Sequence, residues 1–217
     1  MAFFTAIGVI SNDIVRRETK NGVVTTFRLE TGAPRGRKLW IDVECWGHLA
    51  GTIAHHGETE RSVAVCGRLI EKVWRDRESG VRRHRVVVGA SDVDLLSTHS
   101  GPNGWPPNVV ATSGNLLTVP AVAETKTGTE LRATLRTGRS GTGRGRLDLS
   151  IGAWTPDTFE SCSYDNARSL SATGSLAWDA IERSVVLDCN RAALAFAAAQ
   201  LESENVECQT PDVSLSG

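Results

Sequence analysis

The chain repeats itself, and the repeat limits the folds that are open to it. Three motifs recur 106 residues further along: ETKNG at 18–22 returns as ETKTG at 124–128, LETG at 29–32 as LRTG at 135–138, and IDV at 41–43 as LDL at 147–149. A fourth, CGRL at 66–69, returns as TGSL at 173–176. Matches in one order at nearly one spacing indicate two copies of one structural unit.

The length of 217 residues is enough for two domains of about 100 residues each. A Pro-, Gly- and Ser-rich stretch between the copies is typical of a linker, and the polar C-terminal stretch has no packing pattern. We therefore predict a first domain over 1–97, a linker over 98–108, a divergent second domain over 109–198 and a disordered tail over 199–217. The second domain is expected to serve assembly or auxiliary binding.

Residues 39–46, LWIDVECW, alternate as a half-buried strand does. One face takes the apolar side chains Ile41, Val43 and Cys45, and the opposite face takes Trp40, Asp42, Glu44 and Trp46. A face that only meets solvent would not use two of the chain's six tryptophans. The outward pair therefore suggests a platform on which flat groups stack.

The neighbouring segments complete one all-β unit. A hairpin signal at Asn21-Gly22 precedes the strand VVTTFRLET, and a short helix is expected over 47–57. The strand over 62–74 places Val73 with the core and Trp74 on the opposite face, and a last strand follows a charged loop. Five strands with a short helix between the third and fourth are the order of an OB fold. We predict two tandem OB-fold domains, each a five-stranded Greek-key barrel with that helix.

The second copy keeps the apolar alternation but not the tryptophans. Trp40 and Trp46 are replaced by Arg146 and Gly152 at the offset of 106, and Trp74 is replaced by Ile181 at the offset of 107 that relates CGRL to TGSL. Trp154 and Trp178 lie nearby, but Trp178 has the strand parity of Val73, which favours an interface or the core. The stacking platform is therefore expected in the first copy.

Charge is divided unevenly between the copies. Residues 1–97 hold 15 Lys and Arg against 12 Asp and Glu, whereas residues 98–217 hold 9 against 13. The basic surplus accompanies the tryptophans, although it is modest.

Outward tryptophans among cations suit unpaired nucleic acid, since its bases stack on aromatic rings and its phosphates attract positive charge. Base stacking is predicted for Trp40, Trp46 and Trp74. Phosphate contacts are predicted for basic residues on the same faces or in adjoining loops: Arg28, Arg35, Arg37, Lys38, Arg68, Lys72, Arg75, Arg82 and Arg83, with Arg77 and Arg85 beside the last two.

Three segments of the first copy together resemble a known family. WIDVECWGHLA at 40–50 is similar to its aromatic, hydrophobic alternation, second aromatic and glycine before a helix. GRLIEKVWRDRESG at 67–80 is similar to its Gly-Arg-Leu, basic residue and Trp before the loop between strands four and five, and VVTTFRLETG looks like its second strand. The family is that of bacterial-type single-stranded DNA-binding proteins, and the resemblance covers about residues 3–96.

The resemblance implies an OB fold that coats single-stranded DNA during replication, recombination and repair, with Trp40, Trp46 and Trp74 as stacking positions. The tandem layout is similar to that of members with two OB folds per chain, which implies a homodimer with four OB folds. The loop GAPRGRK lacks the family's further tryptophan, and PDVSLSG lacks its acidic tip with a terminal hydrophobic pair. Recruitment of repair or replication enzymes through the tail is therefore not expected.

Other readings of the same residues remain open. The tryptophans are also suited to a protein interface, so the alternative function is an OB-fold interaction or assembly module without nucleic-acid affinity. His55-His56 lack a third ligand at suitable spacing, so no metal is predicted. No catalytic motif or cofactor fingerprint is present, so neither an enzyme nor a cofactor is expected.

Composition also bears on location. No apolar run approaches the length of a membrane span, and the N-terminal residues lack a secretory pattern. Five cysteines, scattered and without CxxC spacing, do not form a disulfide framework. We expect no membrane association and a cytoplasmic location.

Overall fold

A computed structural model describes residues 2–97, 106–118, 121–125, 128–137, 147–154, 167–179 and 184–196. In chain order the elements are β1 (Ala2–Ile10), β2 (Val15–Thr19), β3 (Gly22–Ala33), a 3-10 turn (Pro34–Gly36), β4 (Arg37–Trp46), α1 (Gly47–His56), β5 (Ser62–Arg75), β6 (Arg82–Leu95), β7 (Val109–Leu116), β8 (Ala121–Thr125), β9 (Gly128–Thr137), β10 (Leu147–Trp154), β11 (Ala167–Asp179) and β12 (Ser184–Phe196). The predicted tail over 199–217, residues 98–105 of the predicted linker, and residues 155–166, where the second helix is expected, lie outside the described residues.

Five strands close the first barrel. β1 pairs antiparallel with β3 and β5, β3 pairs with β4, and β5 pairs with β6. Parallel pairing of β4 with β6 completes the ring. This is the strand order of an OB fold, as predicted.

β2 is a sixth strand that the sequence reading did not separate from β1. It forms a hairpin with β3, and Thr19 faces Gly22 across the two-residue turn Lys20-Asn21. Gly22 has φ of 108°, which favours glycine, and the Thr19 hydroxyl donates to the Gly22 carbonyl at 2.8 Å. The predicted turn is present, but it joins β2 to β3 rather than β1 to β3.

Alternate side chains of these strands fill the barrel. The largest fully buried ones come from both copies: Phe4, Ile10, Leu29, Leu39, Ile53, Leu135, Leu170 and Leu176. Burying a side chain of this size stabilises the fold by about 1.5–3 kcal/mol relative to leaving it exposed. The faces predicted for β3 and β4 are therefore the observed ones.

The helix α1 lies where it was predicted, between the third and fourth barrel strands. It buries Ala50 and Ile53, and the buried Thr25 hydroxyl on β3 donates to the Ala50 carbonyl at 2.8 Å. The amide of Gly57 donates to the Ile53 carbonyl at 2.9 Å where the helix ends. These contacts fix the helix to the end of β4, and so fix the position of Trp46.

The second copy has the same connections. β7 pairs with β9 and β11, β9 with β10, β11 with β12, and β10 runs parallel to β12. β8 joins β9 as β2 joins β3. Both copies also need a glycine where the fourth barrel strand, β5 or β11, has an irregular register. A Cβ on Gly67 would lie 2.5 Å from the Gly89 carbonyl, and one on Gly174 would lie 2.1 Å from the Asp188 carbonyl. This close approach explains why CGRL returns as TGSL.

The constant offset fails by two residues in one strand. Leu29 faces Ile41 in the first barrel, and Leu135, its counterpart 106 residues later, faces Leu149 rather than Leu147. A slip of two keeps inward residues inward because the side-chain period of a strand is two. The counterpart of Trp40 is therefore Asp148, not Arg146 as the sequence comparison gave.

The two barrels form one continuous sheet. β1 pairs antiparallel with β7, placing Phe4 opposite Val110, and β7 pairs in turn with β11. No helix within the described ranges has the length and apolar character that a transmembrane span requires.

Asn108 joins the barrels through its side chain. It is fully buried, its Nδ2 donates to the carbonyls of Gly32 at 2.9 Å and Leu176 at 3.1 Å, and its Oδ1 accepts the Leu176 amide at 2.7 Å. Gly32 lies near the end of β3, whereas Leu176 belongs to β11. One amide therefore holds this end of β3 in the first barrel against the second barrel.

Asn108→Ala is expected to lower the free energy of unfolding by about 2–4 kcal/mol, because it leaves buried backbone groups of Leu176 without partners. Urea denaturation measures the effect. Asn115→Ala removes an exposed asparagine from β7, the strand that follows Asn108, and is the matched control. Equal stability of the two variants would contradict the proposed clamp.

Candidate nucleic-acid interface

Two tryptophans project from β4 on the outside of the first barrel. Trp40 is 54% exposed and Trp46 is 38% exposed, whereas Ile41 and Val43 between them are buried. Since the inward face of β4 is fixed by the core, both indoles point outward.

Trp74 lies on a hairpin that extends past the barrel. β5 and β6 remain paired as far as Arg75 and Arg82, but both faces of β5 become accessible after Ile70. Trp74 is 44% exposed, and Val73 is 45% exposed although its parity predicted burial. The prediction for Val73 is wrong because the strand continues beyond the core that its inner face would contact.

The tip of this hairpin is organised by one carboxylate. Oδ1 of Asp76 accepts the amides of Ser79 at 2.9 Å and Glu78 at 3.1 Å, and the Ser79 hydroxyl at 3.0 Å. The bonds from Ser79 and then Glu78, with a smaller contribution from the charge of Arg83, hold the pKa of Asp76 below its usual value of 3.8. The ionised carboxylate therefore shapes the turn.

Glu30 orients Trp40. The two residues face each other across β3 and β4, and the indole Nε1 donates to Glu30 Oε2 at 3.2 Å. The other carboxylate oxygen, Oε1, forms an ion pair with Lys38. Indole, carboxylate and ammonium thus form one row.

Asp42 lies between two arginines. Arg28 Nε donates to Asp42 Oδ1 at 2.9 Å, and Arg85 forms an ion pair with Oδ2. The guanidinium of Arg85 also lies 5.8 Å from the centre of the Trp74 ring, at cation–π distance. Arg85 therefore connects the hairpin tryptophan to the face that carries Trp40.

Two further carboxylates lie beside basic side chains on the hairpin side. Lys72 Nζ lies 2.9 Å from Glu44 Oε2, and His84 Nδ1 lies 3.4 Å from Glu71 Oε1. The acidic residues between the tryptophans thus balance neighbouring positive charge, as the sequence suggested for Asp42 and Glu44.

The remaining predicted cations occupy different places. Arg37, Arg75, Arg82 and Arg83 are exposed and form no ion pair with a residue in the described ranges. Arg75 faces Arg82 directly in the ladder, an arrangement that costs stability unless an anion lies close by. The side chain of Arg35 lies outside the description.

Arg68 belongs to another part of the surface. Its guanidinium lies 5.9 Å from the centre of the Phe3 ring on β1, the strand that joins β7. It does not share the carboxylate rows around Trp40 and Trp74. Strand parity predicted its exposure correctly, but parity does not distinguish the sides of a closed barrel.

The second copy offers a different set of groups. Trp178 is 52% exposed, so it does not lie in the core, and its place at an interface stays a prediction. Trp154 ends β10 as Trp46 ends β4, but its side chain lies outside the description, as does Ile181. The strand register places Asp148 opposite Arg136 where the first copy has Trp40 opposite Glu30.

Two other groups of reactive side chains lie in the first barrel, the histidine pair and the cysteines. His55 and His56 are exposed at the end of α1, and no group of three or more His, Cys, Asp or Glu among the described residues could hold a metal ion. Cys45 is buried, and this burial raises the pKa of its thiol to about 12, which makes it a poor nucleophile. Cys66, by contrast, is an exposed free thiol on β5.

Comparison with known proteins identifies relatives of the first barrel. Residues 1–96 match the model of the Single-strand binding protein family. The chain is 29% identical over 107 residues to Single-stranded DNA-binding protein 1 of Chlorobaculum tepidum, over 45% of this chain and 66% of that protein. It is 29% identical over 80 residues to Single-stranded DNA-binding protein 1 of Synechocystis, over 35% and 66%. The chain thus spans just under two thirds of the length of these curated relatives.

The tandem fold is also found in a solved structure. Wild-type single-stranded DNA binding protein from Thermus aquaticus superposes with a TM-score of 0.69 at 20% identity, over 91% of this chain and 94% of that one. The superposition extends well beyond residue 96, so it covers both barrels. At this identity the likeness concerns the fold, and it confirms the predicted pair of OB folds.

We expect the amide protons of Glu78 and Ser79 to titrate together, with an apparent pKa below 3.8, in NMR spectra of the folded protein. Because the folded-state pKa is lowered, the contribution of the ionised Asp76 is present above its unfolded pKa and is lost as the pH falls through the folded value. Asp76→Asn should abolish the transition at both amides. A transition at or above the ordinary value would contradict this account of the turn.

Proposed function

We propose that the chain binds single-stranded DNA with little sequence preference through its first barrel, and the match of residues 1–96 to the single-strand binding protein family supports this. Stacking supplies much of the affinity because every base has a flat face, and each stacked base is worth about 1–3 kcal/mol. Trp40, Trp46 and Trp74 are the proposed stacking residues.

One observation carries the proposal: all three tryptophans of the first barrel that the sequence placed outward are exposed, and two of them lie close to cations. Trp40 shares Glu30 with Lys38, and Trp74 lies beside Arg85. A platform for protein contacts would gain little from charges placed so near its rings, since charged residues are depleted from interface cores. Bases and phosphates alternate along a DNA strand and suit such a surface.

The proposed phosphate contacts come from two groups of basic side chains. Arg37, Arg75, Arg82 and Arg83 are available at the loops, while Arg28, Lys38, Lys72 and Arg85 lie between the tryptophans. Arg35 completes the loop group by its sequence position. Arg68 can contact a phosphate only if the path of the bound DNA continues toward β1. Neutralising phosphates releases counterions, so binding should weaken as salt rises.

The proposed roles of the domains follow the sequence repeat. Residues 1–97 form the DNA-binding domain, residues 98–108 the linker, and residues 109–198 a second domain that supports assembly and extends the binding path, followed by the tail over 199–217. The protein protects unpaired DNA during replication, recombination or repair by occupying it, without catalysing a reaction. The cytoplasm is the expected location.

A homodimer is proposed from the sheet face that spans the barrel junction. Phe3, Ile7 and Val109 are exposed there on the adjoining strands β1 and β7. Three large apolar side chains along a flat junction provide a surface that a second copy buries. Such a dimer holds four OB folds and leaves the tryptophans of β4 accessible.

Trp40→Ala and Trp74→Ala should each weaken binding of oligo(dT) by about 1–3 kcal/mol, because each loses a stacked base. Quenching of intrinsic tryptophan fluorescence, titrated at several salt concentrations, measures the affinity. Trp40→Phe and Trp74→Phe keep an aromatic ring and are the matched controls, which should retain most of the affinity.

If both alanine variants bind oligo(dT) as tightly as the parent protein, the tryptophans do not belong to the DNA interface. An absence of binding by the parent at low salt, with equal retention on DNA and control resins, would favour an OB-fold interaction module instead.

Ile7→Glu should convert the dimer into a monomer, because a charge buried between two copies without a partner is strongly unfavourable. Sedimentation velocity measures the change, and the exposed thiol of Cys66 on the neighbouring strand should react faster with a thiol reagent in the variant. Val15→Glu introduces the same charge at an exposed valine on β2 and is the control. A parent that sediments as a monomer would overturn the proposed assembly.

A further inference from the structure

The cations between the tryptophans are already paired within the protein. Three carboxylates, Glu30, Asp42 and Glu44, accept them, and their side chains are only 19%, 16% and 14% exposed. Their partners are more accessible: Arg28, Lys38, Lys72 and Arg85 have side chains that are 50%, 60%, 40% and 52% exposed. The negative charges thus lie beneath the positive ones.

Because of this arrangement, a DNA phosphate that binds one of these cations has to replace the carboxylate with which the cation is paired. A phosphate that takes Lys72 away from Glu44 leaves a largely buried carboxylate without its ammonium, and burial of an uncompensated charge is costly. The carboxylate then keeps part of the lysine's charge or takes up a cation from solution. In either case each phosphate contact gains less than it would from an unpaired lysine.

Resting on the proposed function, we infer that Glu30, Asp42 and Glu44 are affinity-limiting residues: they compete with DNA phosphates for the cations of the tryptophan face, so that the strand binds more weakly and with a smaller dependence on salt than those cations would otherwise give. They act through their basic partners and are positioning residues, not contacts to DNA. Glu30 has a second role, because it also holds the indole of Trp40.

The arginines of the hairpin tip provide an internal contrast. Arg75 and Arg82 form no ion pair with a residue in the described ranges and face one another. Phosphate contacts there release counterions without breaking an internal pair. Single-stranded DNA should therefore bind firmly at the hairpin tip and exchange readily over the tryptophan face. Such exchange suits a protein that must be displaced by enzymes using the same DNA.

Glu44 allows the cleanest test because it has one basic partner and no bond to a tryptophan among the described contacts. Glu44→Gln keeps the shape of the side chain and removes its charge. The variant should bind oligo(dT) about two- to fivefold more tightly at low salt, since pairs of this kind are worth up to roughly a factor of five. Its plot of log affinity against log salt should be steeper by up to about 0.7, the value for one additional phosphate contact to a single strand.

Glu58→Gln is the matched control. Glu58 also pairs with a base, Arg61 at 3.6 Å, and the substitution makes the same change in net charge away from the tryptophans. It should leave affinity and salt dependence near those of the parent. An equal gain in both variants would overturn the inference, because the effect would then come from net charge alone.

A double-mutant cycle tests whether Glu44 acts through Lys72. Glu44→Gln should raise affinity in the parent but have no effect in the Lys72→Ala background, because the cation for which it competes is gone. Gains of equal size in the two backgrounds would contradict the exchange. Asp42→Asn, which frees both Arg28 and Arg85, is the second variant and should show a larger gain than Glu44→Gln.

The outcomes separate this inference from the function on which it rests. A parent that binds oligo(dT), with Glu44→Gln and Asp42→Asn variants that melt like the parent and bind no more tightly, overturns only the inference. If one variant fails to fold, the other is compared with Glu58→Gln. A parent that does not bind oligo(dT) overturns both.

Discussion

Closure of the barrel by the parallel pairing of β4 with β6 is the constraint on which the binding face depends. Once the ring is closed, the inward residues of β4 must fill the core, and every second residue has to point to solvent. Trp40 and Trp46 are outward for this reason, and the bond from Trp40 to Glu30 orients an indole that already points to solvent. The helix after β4 and the long β5–β6 hairpin then complete a face that carries three indoles.

The chemistry of that face results from charge pairing across strands that are distant in the sequence. Asp42 of β4 accepts Arg28 from β3 and Arg85 from β6, and Arg85 also contacts Trp74 of β5. Four strands are thus connected through two side chains. The same carboxylate that fixes the arginines also reduces the charge they offer, so order and affinity oppose each other on this surface.

Periodicity made most of the fold predictable, and its limits explain the errors. The period of two identified the buried faces of β3 and β4, and the repeat identified the second barrel. Val73 was misassigned because parity gives a side of a strand, not the extent of the core beneath it. The register of β10 was missed because a slip of two residues leaves the hydrophobic pattern unchanged, so the sequence contains no signal for it.

The sequence by itself determined two OB folds in tandem, three outward tryptophans in the first and a basic surplus around them, because these follow from spacing and residue type along one strand at a time. Only the tertiary structure decided which cations meet which carboxylates, that Arg68 lies beside Phe3 instead of the tryptophans, and that Asn108 joins the two barrels. These contacts depend on which strands become neighbours and in what register. That information arises only when the barrels close and pack together.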